Sequence, residues 1–361
     1  MAVLPVSLEP EKEYWLSVNS SRHTNFRSAV GEPAEPFEIA FRTAALPDGY
    51  EPPAAHELSA ESTAELLRLL NDNYSYLHVR EADWDAEFSD HELASAASPR
   101  GFARRAAEAL GAADDPHIRV SLDEKTWSTR TNIAEPNADL DLLAELVPGY
   151  EQRSQAVWTG SFEDGVGYLS ITSWDSQLDG TEKALKRALR ELGDAPALII
   201  DVRLNGGGDE GLAARFAGHF VDEPATYAKH RWRDPLAEGG FGPVQERVLT
   251  PAGRKAFEGR VAVLTGPLVT SSCEAFLLMM RQVPGAVLVG DRSFGSSGNP
   301  RTYPLPNGVS VSLPGWQAMR PDGSIFEGEG IKPDVLVEWT AGTTDPVLDA
   351  ALTELRGGGR R

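Results

Sequence analysis

The sequence predicts an α/β fold built on a parallel sheet, with a helical subdomain and a short β segment ahead of it. Two observations carry the sheet. The apolar runs VGYLSI and ALIIDVR flank the amphipathic stretch TEKALKRALREL, and VAVLTG and AVLVGD flank CEAFLLMMRQV. Strand, helix, strand in that order is the βαβ unit, whose crossover pairs its strands in parallel. A third observation places chemistry on this frame. ALIIDVR runs into three consecutive glycines and VAVLTG into a turn with two serines, and a helix follows each.

In chain order, residues 1–45 alternate apolar and polar residues in short runs (YWLSVNS, FEIAFRTA), which reads as β structure. So few strands cannot close a core alone, so this segment is expected to be part of a sandwich or an arm. Residues 46–125 read as a helical subdomain after the loop LPDGYEPPAAHE. SAESTAELLRLLNDNY has Ser59 and Glu61–Ser62 in capping positions, and SPRGFARRAAEALGA is a second amphipathic helix. Residues 126–155 are polar and read as an irregular surface connection. Residues 156–361 form the expected α/β core. There the two βαβ units are followed by hairpin-like runs RTYPL and VSVSLP about PNG, then a closing helix DPVLDAALTELR. The GGGRR tail reads as disordered.

Composition removes several classes of function. The chain has 361 residues and a net charge of −20, which argues against nucleic acid or an anionic membrane surface as partner. Its one cysteine, Cys273, rules out an intrachain disulfide framework and a cysteine-based zinc site. No apolar run reaches about 18 residues, so no transmembrane helix is expected. The N-terminal MAVLPVSLEPEKEYW lacks a basic stretch followed by an apolar one, so no secretion signal is read in it.

Ser271 and Ser272 stand where a helix begins. There, unpaired backbone N–H groups and the helix dipole favour developing negative charge. They read either as an N-cap pair or as a nucleophile with its neighbour. Cys273, inside the first helical turn among apolar residues, reads as a packing residue, with catalysis by its thiol as the alternative. Asn205-Gly206-Gly207-Gly208 is neither a Walker A loop nor a dinucleotide fingerprint. It is a tight turn, or bare backbone that presents N–H groups to an oxyanion or a phosphate. A serine nucleophile needs a base. His23, His56, His78 and His91 lie in polar runs, and His219 and His230 lie beyond the glycine turn. His117, in DDPHIRVSLD, sits at a turn feeding a strand. Glu327 lies in the Gly-rich turn of FEGEGIKPDV, where its plain reading is a solvated carboxylate.

The ordered set DPHIRV, YLSI, LIIDVRLNGGG, VAVLTGPLVTSSCEAF, VLVGDRSFGSSG and FEGEGIKPDV resembles one serine peptidase family. That family includes tail-specific (C-terminal processing) proteases, the tricorn core protease and interphotoreceptor retinoid-binding protein repeats. The resemblance covers about residues 58–355. LLNDNYSYLHVREADWDAEF is similar to the helical subdomain of the tricorn-like branch, and residues 1–45 resemble the last strands of an immunoglobulin-like domain.

The resemblance implies a Clp/crotonase-like core and assigns roles residue by residue. The nucleophile position of the Ser-Ala-Ser-Glu motif falls on Ser271. The oxyanion donors fall on the amides of Ser272 and a glycine of the turn, Gly207 before Gly206 or Gly208. The lysine base of the tail-specific branch is absent, because its Phe-Gly-Lys motif reads Phe294-Gly295-Ser296. The tricorn-like branch instead uses a histidine and a glutamate, matching His117 and Glu327. Pro116 stands where that branch has a serine, so water or another hydroxyl would have to bridge the relay. No room for a PDZ domain exists between His117 and the core. The implied reaction is peptide hydrolysis through an acyl-enzyme, without metal or cofactor, on a peptide or unfolded protein. The alternative is a non-catalytic binder of hydrophobic ligands or peptides on the same fold. The family branch points to an exported protein, with the cytoplasm as alternative.

Overall fold

The computed structural model describes residues 8, 10–19, 34–45, 54–130, 134–252 and 256–357, in two compact units, Met1–Ala54 and Ala55–Arg361. In the first unit, β1 (Glu13–Val18) pairs antiparallel with β2 (Phe37–Arg42), and Tyr14 stacks on Phe41. The rest of the expected β segment, most of the following loop, His23 and the end of the GGGRR tail lie outside the described residues.

The second unit opens with three helices, α1 (Ala55–Asn73), α2 (Trp84–Asp90) and α3 (Pro99–Leu110). The first starts earlier than the Ser59 cap expected from the sequence. Ser59 is buried inside α1 and donates its hydroxyl to the Ala96 carbonyl at 2.8 Å, so it ties α1 to the segment before α3. At α3 the cap is as the sequence reads: Ser98 Oγ accepts from Gly101 N at 3.2 Å, with Pro99 next in the chain.

Residues 126–155 depart from the irregular reading. They hold the end of β4 (Lys125–Ser128, after β3, Arg119–Leu122), then α4 (Leu140–Leu146) and β5 (Glu151–Ser154). Elements of 4 and 7 residues are too short for periodicity to stand out in a polar stretch. Asp139 caps α4 by accepting from Asp141 N and Leu142 N, and Leu143 is buried beneath it.

The core then runs β6 (Val157–Ser161), β7 (Gly167–Ile171), α5 (Thr181–Glu191), β8 (Ala197–Asp201) and α6 (Glu210–Ala217). It continues with β9 (Ala225–Trp232), β10 (Gln245–Leu249), β11 (Arg260–Thr265), α7 (Ser272–Met280) and β12 (Val287–Gly290). Last come β13 (Pro300–Pro304), β14 (Ser310–Pro314), β15 (Trp316–Met319), β16 (Val335–Leu336) and α8 (Pro346–Arg356).

Among the described residues the main sheet has the order β16-β12-β11-β8-β7-β6-β5. Both sequence-read βαβ units are present in it, β7–α5–β8 and β11–α7–β12, each with parallel strands. Alternation along the central strands divides two cores. Leu198 and Ile200 of β8 and Val261 and Val263 of β11 face the layer holding Phe216 and Phe276. Ala197, Ile199, Ala262 and Leu264 face the layer with Leu348 and Leu352 of α8. The β13–β14 hairpin joins β3 and β4 in a second sheet, ordered β13-β14-β3-β4. Phe102 and Leu66 of the helical layer share a core with Val120, Val311 and Leu313 of this sheet. A third sheet is ordered β10-β9-β15. No described helix is long and apolar enough to cross a membrane.

Candidate active site

β8 and β11 are parallel neighbours, so the turns leaving their C-terminal ends lie side by side, where open α/β sheets bind ligands. The glycine turn follows β8 and the serine turn follows β11. Thr270 Oγ1 donates to the Gly206 carbonyl at 2.8 Å and Ser272 Oγ to the Gly208 carbonyl at 2.7 Å, locking the two turns together. Gly207 has φ +102°, and a Cβ there would lie 2.9 Å from Ser271 Cβ and 3.0 Å from the Thr270 carbonyl oxygen. The contact and the positive φ both demand glycine.

Ser271 precedes α7 with φ +56° and ψ −127°, a conformation costly for a residue with a side chain. The turn is held in it by the Ser271 amide, which donates to the Ser296 carbonyl at 2.8 Å, and by its carbonyl, which accepts from Glu274 N at 2.9 Å. The Ser271 hydroxyl has no hydrogen-bond partner among the described residues. Ser272, by contrast, has its hydroxyl committed to Gly208. The Gly207 amide donates to Asn205 Oδ1 at 2.8 Å, whereas the amides of Gly206, Gly208 and Ser272 have no partner among the described residues.

A strap at 293–297 crosses this corner and is pinned from below by Glu274, which is fully buried in the first turn of α7. Glu274 accepts from Ser293 Oγ at 2.6 Å, Gly295 N at 2.8 Å and Ser296 N at 2.9 Å. Burial pushes its carboxyl up to about 7 against those three donors. The strap presents Ser296 Oγ to His117 Nδ1 at 2.7 Å. Ser296, which stands at the missing lysine, thus touches both halves of the site: its carbonyl takes Ser271 and its hydroxyl meets His117.

His117 is 8 % exposed and sits in the turn that enters β3. Its amide donates to Asp115 Oδ1 at 2.9 Å, and the same oxygen takes Ser296 Oγ at 3.2 Å and lies 3.6 Å from His117 Nδ1. Tyr74 donates its hydroxyl to Asp115 Oδ2 at 3.0 Å. Burial works to raise the Asp115 carboxyl, yet the bonds and charge of His117 and the charge of Arg80 hold it below the usual range. Among the described residues His117 Nε2 has no hydrogen-bond partner.

Glu327 is buried nearby but does not hydrogen-bond His117. One oxygen takes Arg80 Nη2 at 2.6 Å and the other Ser297 N at 3.0 Å. Burial and the charge of Asp115 push Glu327 well above the ordinary carboxylate range, against the pull of Arg80. Cys273 is fully buried, and burial raises its thiol, so it is poorly placed to react. His230 is buried against Trp316, His91 bonds the Glu87 carbonyl, and His56 and His78 are exposed. The sequence reading passed over Asp115, Arg80 and the anchoring role of Glu274. Its available signals were an aspartate two residues before the histidine and a glutamate directly behind Ser-Ser-Cys.

The fold and the arrangement at this corner are similar to those of α/β serine peptidases. Residues 165–337 match the model for peptidase family S41, which bears out the family resemblance. Carboxy-terminal processing protease CtpB of Bacillus subtilis (strain 168) is 27 % identical over 175 residues, 48 % of this chain and 34 % of that protein. The chain thus spans about a third of the length of the curated relatives it matches. A solved structure of a candidate peptidase from Parabacteroides merdae ATCC 43184 superimposes with TM-score 0.72 at 24 % identity, covering 83 % of this chain and 98 % of that one. The tricorn protease structure gives TM-score 0.52 at 14 % identity, covering 89 % of this chain and 39 % of that one.

Proposed function

We propose that this chain is a serine-type peptidase that cleaves peptide bonds through an acyl-enzyme on Ser271, with His117 as general base. One observation carries the reading: a strained, unpartnered serine at the N-terminus of α7 is tied through Ser296 to the histidine. Ser271 Oγ attacks the carbonyl carbon of an extended or unfolded polypeptide as His117 Nε2 takes its proton. The carbonyl π pair moves to oxygen, and the amides of Ser272 and Gly208 receive the oxyanion. Gly208 is preferred to Gly207 because the Gly207 amide is spent on Asn205, while the Gly208 carbonyl already meets Ser272. His117 then returns the proton to the leaving nitrogen as the C–N bond breaks, and water repeats the sequence to free the acid. Glu327, paired with Arg80 and holding Ser297 N, supports the strap from behind. The helical layer and the α/β core close on the site together, since α1 leads to Tyr74 and the core supplies Ser296.

The test uses a fluorophosphonate probe and fluorescein-labelled casein. Wild-type chain is expected to label at Ser271 alone. Ser271→Ala and His117→Ala should each lower casein hydrolysis by about 10⁴–10⁶-fold while the far-ultraviolet spectrum stays unchanged. Folded wild type that takes no label yet binds peptide would establish the non-catalytic binding protein instead. Hydrolysis that survives Ser271→Ala and is blocked by iodoacetamide would transfer the role to Cys273.

A further inference from the structure

We propose that Asp115, acting through the Ser296 hydroxyl, is the positioning carboxylate of His117, in the place assigned to Glu327 by resemblance. The inference rests on Ser271 as nucleophile and His117 as base, and it follows from hydrogen-bond accounting. A serine hydroxyl has one proton to give, and an ionised carboxylate can only accept. Ser296 Oγ lies 3.2 Å from Asp115 Oδ1 and 2.7 Å from His117 Nδ1, so its proton goes to Asp115. The histidine must then donate Nδ1–H into the oxygen. That fixes the tautomer in which Nε2 carries the lone pair, the form a base for Ser271 needs.

The same carboxylate answers the charge that forms when Nε2 is protonated. Asp115 Oδ1 is 3.6 Å from Nδ1, fully buried, and held still by His117 N at 2.9 Å and the Tyr74 hydroxyl at 3.0 Å. Glu327 has both oxygens engaged elsewhere, by Arg80 and by Ser297 N. The other groups facing this pair are Tyr74 from the end of α1, Tyr76, Arg80, Glu327 and, behind Ser296, Glu274. Of the three buried carboxyls, Glu274 and Glu327 are displaced upward and Asp115 downward, which leaves the negative charge beside the imidazole. A hydroxyl from the strap thus fills the bridge that Pro116 cannot supply.

The experiment follows the His117 ring by ¹⁵N NMR across pH, assigned by difference with His117→Gln, alongside the rate of fluorophosphonate labelling of Ser271. Wild-type His117 is expected as the Nδ1–H tautomer. Asp115→Asn removes the negative charge, so the imidazolium becomes less stable. The His117 pKa and the acid limb of labelling should both move to lower pH, and the plateau rate should fall by about 10²–10⁴-fold. Ser296→Ala, which removes only the hydroxyl, should lose the tautomer preference, and Ser296→Thr should restore it. Glu327→Gln should leave the His117 titration in place. An unmoved His117 in Asp115→Asn and Ser296→Ala, or a downward shift in Glu327→Gln alone, overturns the proposal. A wild-type chain whose histidine titrates as expected but whose Ser271 never labels supports the Asp115 pair and removes the peptidase reading instead.

Discussion

Gly207 lies with its Cα against the serine turn, at φ +102°, so any side chain there must push Ser271 or the Thr270 carbonyl aside. Gly207→Ala combines that contact with the backbone penalty, for a loss of about 1–3 kcal/mol. The turn also carries the Gly208 amide, so labelling of Ser271 is expected to drop by about 10²–10³-fold, the cost of one misplaced oxyanion donor. Urea unfolding and labelling rate measured on the same variant check both figures, and a silent Gly207→Ala would remove this turn from the site. At this scale the sequence was informative about backbone and poor about partners. Ser271 and the glycine run announce themselves because strand, turn and helix are local. That Asp115 meets Ser296 is invisible in sequence, since 181 positions separate them.

The strap at 293–297 is an element without regular structure, and it holds its shape through one side chain from α7. Glu274 receives three donors there while fully buried. Its folded pKa is raised to about 7, so between the unfolded carboxylate value and that point the folded state holds a proton the unfolded state has lost. Stability from this group is therefore greatest at low pH and falls as pH rises through about 7, by about 3 kcal/mol in all. Chemical denaturation between pH 5 and pH 8 should show this slope in wild type, and Glu274→Gln should flatten it. The same variant should slow labelling of Ser271, because the amide nitrogen that replaces one carboxyl oxygen takes the acceptor from either Gly295 N or Ser296 N and the strap loosens. A slope that persists in Glu274→Gln would assign it to another group. The motif Ser-Ser-Cys-Glu places this glutamate in the first turn of α7. Its inward direction is a tertiary fact.

At the scale of the whole molecule, a buried charge cluster ties the end of β8 to the start of α8. Arg203 is fully buried and its Nε and Nη2 grip Asp201, while Nη1 and Nη2 meet Asp345 at 3.0 and 2.7 Å. Nη1 also donates to the Asn137 carbonyl at 2.8 Å. Asp345 in turn caps α8 through Val347 N and Leu348 N. Asp345→Ala leaves a buried guanidinium short of one partner and strips the cap, which should cost about 3–5 kcal/mol. Guanidinium-chloride unfolding measures it. The folded fraction should still label at Ser271, since Arg203, Asp201 and Asp345 make no hydrogen bond to Gly206–Gly208 or to Ser271 and Ser272.

Sequence alone determined the parallel sheet, the two βαβ units and the pairing of a glycine turn with a serine turn, because each rests on periodicity within a few tens of residues. It also shows that position 296, where the resembling family's lysine would fall, carries a hydroxyl and no amine. The short elements of 126–155, the early start of α1 and the sharing of one core by the helices and the β13–β14 hairpin required the folded chain. So did the choice among candidate groups. Which amide is free, which carboxylate keeps its charge and which hydroxyl reaches His117 all depend on burial and on contacts between distant segments, and a linear pattern encodes neither.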